Sequence, residues 1–331
     1  MQQTRTGVSL IGSGSACLTT ALSNGELSQM VDTSDEWIAA RTGIRQRFIV
    51  GPQGSLTSLA IEAGQAALSM GGKAASDLDL IILATSTPDD LFGSAAQVQA
   101  GLGASRAVAF DLTAACSGFV FALVTAAQYI RSGVYQTVLV IGADMLSRWV
   151  DWEDRRTCVL FGDGAGAVVL KASDRDCLLG FEMRSDGTLN SCLNLSYRAT
   201  PQTLVNGKTA QTGTFQPVTM NGKEVYRFAV KRVPEILEKA LFHAGLTSED
   251  IDWLLLHQAN QRILDAVAER LSIPSAKVIS NMAYHGNTSA ASMPIALDES
   301  VRAGNIQPGD VIASSGFGAG LSWGAAIFSW G

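Results

Sequence analysis

A multilayered α/β enzyme built from two copies of one βα unit is the fold class that the sequence predicts, on three observations. Charged residues are 16% of the chain and hydrophobic residues 47%, against roughly 25% charged in an average soluble domain, so much of the chain has to be interior. Glycine occurs 33 times in 331 residues, above the usual level of about 7%, which fits many tight strand-to-helix turns and closely packed layers. The chain also repeats itself: Asp79-Leu80-Ile81-Ile82-Leu83 returns as Asp252-Trp253-Leu254-Leu255-Leu256, 173 residues later. The length suits about two domain equivalents.

The elements follow in order. Val8-Ser9-Leu10-Ile11-Gly12-Ser13-Gly14 reads as a first strand and turn, too short and glycine-rich for the apolar region of a signal peptide. A helix ending through Ala67-Leu68 and Gly72 leads into the strand at 79–83, and Ala240-Leu241 with Gly245 leads into its second copy. Ala107-Val108-Ala109-Phe110 is short and apolar enough to predict a buried strand, and an apolar helix runs from about Ser117 to the stop at Arg131-Ser132-Gly133. That stop matches Arg302-Ala303-Gly304 at a spacing of 171, and Val138-Leu139-Val140 matches Val311-Ile312-Ala313 at 173. Gly166-Ala167-Val168-Val169 and Gly324-Ala325-Ala326-Ile327 close the two copies, which divides the chain into 1–174, carrying Cys116, and 175–331, carrying His257 and Asn287.

Several function classes fall away. Five cysteines with no C-x-x-C pair, and three histidines, argue against structural zinc or a disulfide framework and for a reduced, cytoplasmic protein. The uncharged stretches Leu112–Ile130 and Val311–Gly331 approach the ~20 residues of a membrane span, but polar residues interrupt the first and glycines break the second into strand, turn and strand. A net charge of −6 argues against general nucleic-acid binding.

Chemistry concentrates at strand-to-helix turns. Cys116, in Thr113-Ala114-Ala115-Cys116-Ser117-Gly118-Phe119, stands at a helix N-terminus, where unpaired N–H groups favour a thiolate and lower its pKa; an inert buried cysteine is the competing reading. Carrying Cys116 forward by 171 residues gives Asn287, in Gly286-Asn287-Thr288-Ser289-Ala290-Ala291-Ser292, so two equivalent helix starts are expected to face each other across a cleft at the junction. His257 follows the second-copy strand, at the edge where α/β proteins place ligand groups. Asn260 is positioned to cap the next helix, with Ile263, Val267 and Leu271 inward and Arg262, Glu269 and Arg270 outward. His243 reads as an ordinary helix residue, while His285 competes as a base. Lys223, Arg227 and Lys231 form a basic stripe at spacing four on a helix that Pro234 is expected to interrupt; it suits an acidic partner or a solvated face.

These motifs, with Val31-Asp32-Thr33-Ser34-Asp35-Glu36-Trp37-Ile38 and Arg41-Thr42-Gly43-Ile44-Arg45, resemble β-ketoacyl-[acyl carrier protein] synthase III, of the thiolase superfamily, over essentially the whole chain. The resemblance implies a thiolase fold, a five-layer αβαβα sandwich. It implies a catalytic triad of Cys116, His257 and Asn287 that condenses a short acyl-CoA, typically acetyl-CoA, with malonyl-[acyl carrier protein] to initiate fatty acid biosynthesis. It further implies that coenzyme A thioester is a substrate, that an acyl-Cys116 intermediate forms, and that no metal or redox cofactor is needed. The turn Phe317-Gly318-Ala319-Gly320 would help to hold the oxyanion with the Cys116 N–H. Trp37, Arg41 and Arg155 would bind coenzyme A, with Arg156 of uncertain part. The carrier protein would meet Gln258, Ala259, Asn260, Gln261 and Arg262, to which the stripe adds Lys223 and Arg227. Phe92, crossing a homodimer interface, would close the acyl pocket with Leu146 and Phe161. The alternative is a sister condensing enzyme of a polyketide, quinolone or acyl-fusion pathway; a Cys-His hydrolase and a scaffold are weaker readings.

Overall fold

The computed structural model describes residues 6–331. Sheet A holds Gly7–Ser15 (β1), Leu80–Ala84 (β2), Val108–Leu112 (β3), Thr137–Met145 (β4) and Asp163–Ser173 (β5), in the spatial order β1-β5-β4-β2-β3. Leu178–Ser185 (β6) opens sheet B. An exposed hairpin follows, Tyr197–Thr203 (β7) with Thr209–Phe215 (β8). Trp253–Leu256 (β9), Val311–Gly318 (β10) and Ser322–Ser329 (β11) then complete sheet B in the order β6-β11-β10-β9.

The two sheets share one topology. β4 pairs parallel with β2 and antiparallel with β5, which is antiparallel to β1. β10 pairs parallel with β9 and antiparallel with β11, which is antiparallel to β6. Even β3 has its echo, a single parallel bridge from Leu254 to Val278 outside β9. Residues 174 and 175 lie in the link between β5 and β6.

Seven helices of eight residues or more are described: Asp35–Thr42 (α1), Leu56–Met70 (α2), Ala95–Leu102 (α3), Gly118–Arg131 (α4), Gly222–Ala244 (α5), Gln261–Arg270 (α6) and Ser292–Arg302 (α7). α2 packs on the outer face of sheet A beside α3, and α5 packs on the outer face of sheet B beside α6. α4 and α7 fill the space between the sheets; accordingly α4 buries residues nearly all round, from Phe119 to Ile130. The layers run α/β/α/β/α, as expected of the thiolase fold.

Three expectations need correction. β3 is an edge strand, with Val108 51% exposed, because an apolar tetrapeptide does not reveal whether a strand has neighbours on one side or both. Pro234 does not interrupt its helix: α5 runs unbroken through it, and the buried residues Val225, Phe228, Val233, Ile236 and Leu237 anchor both of its halves, offsetting the hydrogen bond that proline forfeits. The repeat register at the site is 174, not 171. Ala115–Ser117 and Ser289–Ala291 are matching 3₁₀ turns, each opening on a residue with positive φ (46° at Ala115, 51° at Ser289) and each leading straight into α4 or α7. Cys116 therefore corresponds to Ala290, and Asn287 to Thr113. A three-residue slip is invisible among the small residues that fill both turns.

Candidate active site

Cys116, His257 and Asn287 line one cleft of about 210 Å³ at the junction of the two halves. Each stands just after a strand or just before a central helix, and each is held by backbone that leaves one group facing the cavity.

Cys116 sits in the 3₁₀ turn between β3 and α4. The preceding Ala115 has φ 46°, a left-handed conformation that costs an L-residue about 1–2 kcal/mol and is held by the packing around it. β10 crosses directly behind: a Cβ at Gly318 would fall 2.5 Å from the Cys116 nitrogen, so only glycine fits there. The Ser289 hydroxyl donates to Cys116 Sγ at 3.2 Å. Asp144 is fully buried, its carboxylate accepting from the Thr85 and Thr87 hydroxyls and the Ser86 and Ala290 amides. Burial pushes the Cys116 thiol up to about 12, with the nearby Asp144 charge adding to the rise against the Ser289 hydrogen bond. The thiolate expected at a helix N-terminus is not the resting state: the helix proper starts two residues later, and desolvation outweighs its dipole.

His257 directly follows β9, its N–H donating to Ser315 O at 2.9 Å. Nδ1 lies 2.7 Å from Ser292 Oγ, and among the described residues Nε2 has no hydrogen-bond partner. Burial pushes the imidazole down to about 3, so the ring is neutral, and Phe317 packs edge-on against it at 5.4 Å. Asn287 is fixed by its backbone, which donates to Leu160 O and accepts from Gly162 N–H, bridging in parallel to Phe161. Its Oδ1 accepts the Ser289 N–H at 2.9 Å. A backbone N–H can only donate, which fixes the oxygen of the amide and leaves Nδ2 for the cleft.

The mouth of the cleft carries Trp37, Arg41 and Arg155. Ser34 caps α1 by accepting the Trp37 N–H, and the helix ends on Gly43 at φ 83°. Both guanidinium groups stand over the indole, Arg41 at 4.4 Å and Arg155 at 5.4 Å from its centroid, a cation–π arrangement. Arg155 also donates to the Asp32 carbonyl at 2.6 Å. Arg156 reaches the same mouth but is held by Asp154 through Nε and Nη2.

The remaining expected residues divide. Phe161, Ala259, Asn260 and Phe317 line the cleft, and Asn260 caps α6 by accepting the Arg262 N–H at 2.9 Å. Gln258 cannot meet a carrier protein: it is 0% exposed, its amide donating to Leu256 O and Ile279 O. Arg262, Lys223, Arg227 and Lys231 are exposed, Arg227 pairing with Glu224 at 2.9 Å, and Gln261 is half-buried against Asp265 and Ser280. Leu146 is buried in the core and does not line the cleft; Phe92 is 99% exposed, away from it. Ala319 and Gly320 form the half-buried turn after β10. His285 is not a rival base: its Nε2 lies 2.6 Å from Glu299 and its ring packs on Phe48. His243 is exposed and bonded to Phe181 O. Sequence reasoning missed Ser289, Ser292 and Asp144, whose partners lie far away along the chain.

Residues 110–187 match the family profile described as 3-oxoacyl-[acyl-carrier-protein (ACP)] synthase III, and residues 241–330 match that of its C-terminal part. The chain is 70% identical over 326 residues to the beta-ketoacyl-[acyl-carrier-protein] synthase III of Synechococcus elongatus, covering 98% of this chain and 97% of that protein. It superposes on the crystal structure of 3-oxoacyl-[acyl-carrier-protein] synthase III from Aquifex aeolicus with a TM-score of 0.89 at 43% identity, covering 98% and 100% of the two chains. The priming beta-ketosynthase of the R1128 polyketide pathway superposes with a TM-score of 0.90 at 34% identity, covering 98% of this chain and 97% of that one. The chain belongs to the 3-oxoacyl-[acyl-carrier-protein] synthase III family of condensing acyltransferases.

Proposed function

We propose that the protein condenses a short acyl-CoA, acetyl-CoA first among them, with malonyl-[acyl carrier protein] and so primes fatty acid synthesis. The observation that carries this reading is the convergence on one cleft of Cys116 Sγ, His257 Nε2 and Asn287 Nδ2, the two nitrogens having no hydrogen-bond partner among the described residues.

The chemistry divides into two half-reactions. In the first, the Cys116 thiol attacks the acyl-CoA carbonyl; the thiol proton goes to the departing coenzyme A sulfur and an acyl-Cys116 thioester forms. The Cys116 N–H, with the turn after Phe317, stabilises the tetrahedral oxyanion, each donor supplying roughly 3 kcal/mol. Trp37, Arg41 and Arg155 take the nucleotide end of coenzyme A, and the two arginines give way to adenine and phosphate. In the second, malonyl-[acyl carrier protein] loses CO₂, and His257 and Asn287 hydrogen-bond the thioester oxygen of the resulting enolate. The enolate carbon attacks the acyl-Cys116 carbonyl, the new C–C bond forms, and the Cys116 sulfur leaves and takes a proton from solvent. Neither half-reaction calls for a metal or redox cofactor.

The carrier protein docks on the exposed basic face of Arg262, Lys223 and Arg227. Two copies pair through the free edge of β3, so that Phe92 reaches the partner's acyl pocket. Among the described residues no helix is long and apolar enough to cross a membrane, and the reaction takes place in the cytoplasm. Product analysis with acetyl-CoA and malonyl-[acyl carrier protein] tests the reading. Acetoacetyl-[acyl carrier protein] is expected; its absence beside turnover of longer acyl-CoAs would favour a sister enzyme. A Cys116→Ala protein that still acquires label from radioactive acetyl-CoA rejects the nucleophile.

A further inference from the structure

We propose that Ser292 is a positioning residue that holds His257 as the tautomer protonated on Nε2, so that the imidazole presents a hydrogen-bond donor, not a base, to the cleft.

The inference rests on counting protons around one buried oxygen. Ser292 Oγ lies 2.7 Å from His257 Nδ1 and accepts the Gln258 N–H at 3.2 Å. A backbone N–H can only donate, so one side of the hydroxyl is committed as acceptor. Among the described residues Oγ has no other hydrogen-bond partner. Were Nδ1 protonated, two N–H groups would converge on Oγ, and its own proton would be left without an acceptor in a buried site. Placing the Ser292 proton on the Oγ-to-Nδ1 bond satisfies every group and leaves Nε2 as the protonated nitrogen. Burial keeps the ring neutral, so it has a single proton to place.

Two further observations support a dedicated role. Gln258 is itself locked, its amide donating to Leu256 O and Ile279 O and its Oε1 accepting the Asn281 N–H, so the N–H that orients Ser292 cannot drift. In the other half of the chain, the first residue of α4 is Gly118, at the position of Ser292 in α7. The fold does not need a hydroxyl at this helix start; the half that carries the histidine has one. Together with Asn287 Nδ2, the Nε2–H gives the cleft two donors able to share one developing negative charge.

The catalytic consequence rests on the proposed condensation; the tautomer itself does not, and nitrogen-15 NMR of histidine-labelled, substrate-free protein at neutral pH reads it directly. His257→Gln identifies the signal among the three histidines. Wild-type protein is expected to show a protonated Nε2 and an unprotonated Nδ1. Ser292→Ala is expected to move the spectrum toward the Nδ1–H form and to slow malonyl-thioester decarboxylation at least about tenfold, with acylation of Cys116 by acetyl-CoA unchanged. Ser292→Thr, which keeps the hydroxyl, is expected to restore both. A wild-type spectrum with Nδ1 protonated overturns the proposal, as does Ser292→Ala with an unaltered spectrum and full decarboxylation. If wild-type protein shows the Nε2–H tautomer yet makes no condensation product, the functional reading falls and the tautomer assignment stands.

Discussion

Cys116 rests as a thiol and His257 as a neutral imidazole because both have lost their water: the thiol is raised from 9.0 to about 12 and the imidazole lowered from 6.5 to about 3. Each shift ties stability to pH in a definite direction. The thiol is bound more tightly as the protonated form in the fold, so its contribution is complete below pH 9 and is lost as pH rises from 9 toward 12. The imidazole is held neutral, so its contribution is complete above pH 6.5 and is lost as pH falls from 6.5 toward 3. Either loss accrues at up to about 1.4 kcal/mol per pH unit for the one proton involved. Thermal unfolding across pH is therefore expected to show Cys116→Ala with a shallower alkaline decline than wild type and His257→Gln with a shallower acid decline. Parallel curves for wild type and variants would show that these groups are hydrated in the fold. Cys116 and His257 were readable from sequence because each follows a strand in the repeat, whereas Asn287 was reached through a register three residues off and through the family resemblance. Their supports were not readable: Ser289 is 173 residues from Cys116 and Ser292 is 35 from His257, and a serine in a run of small residues gives no sign of which distant atom it meets.

Among the elements, β10 does most to place Cys116. Its residues 316–318 run behind the Cys116 turn so closely that a Cβ on Gly316 would stand 3.1 Å from Ser117 Cα, and one on Gly318 would stand 2.5 Å from the Cys116 nitrogen. The second contact is with backbone, which cannot rotate aside. Gly318→Ala is expected to destabilise the protein by about 1–3 kcal/mol through overpacking and to cut the rate of Cys116 acylation more than its affinity for acyl-CoA, since the shifted amide would no longer meet the oxyanion. An acylation rate equal to wild type would show that β10 does not fix the N–H. The repeat announced β10, β9 and the helices that follow them, because hydrophobic period and stop signals are local. It misjudged β3, Pro234 and the exact alignment of the two turns. Those depend on what lies beside a strand, how much apolar face anchors a helix, and where an extra turn of small residues falls, none of which is local.

For the whole molecule, the duplication leaves a second asymmetry that bears on function. Sheet A has a full fifth strand, β3, where sheet B has a single bridge, and the outer edge of β3 is open. An open edge invites pairing with another strand unless it is guarded, and Val108 lies on it half exposed. Beside it, Asp111 accepts the Ser94 and Ala95 amides, which anchors the loop that thrusts Leu91 and Phe92 into solvent at 82% and 99% exposure. Large apolar side chains so exposed mark a surface that binds something. In a β3-to-β3 dimer both would be covered, and Phe92 would enter the partner's half of the assembly. Sedimentation is expected to find wild-type protein dimeric and Val108→Lys shifted to monomer, with loss of condensation because the acyl pocket is left open. Phe92→Ala is expected to remain dimeric and to raise the preference for a six-carbon over a two-carbon acyl-CoA by about tenfold or more, since one methylene of pocket space changes discrimination by ~1–3 kcal/mol. The two variants separate the halves of the idea: a monomeric wild type removes the interface, whereas a dimeric Phe92→Ala with the wild-type chain-length profile keeps the interface and removes Phe92 from the pocket.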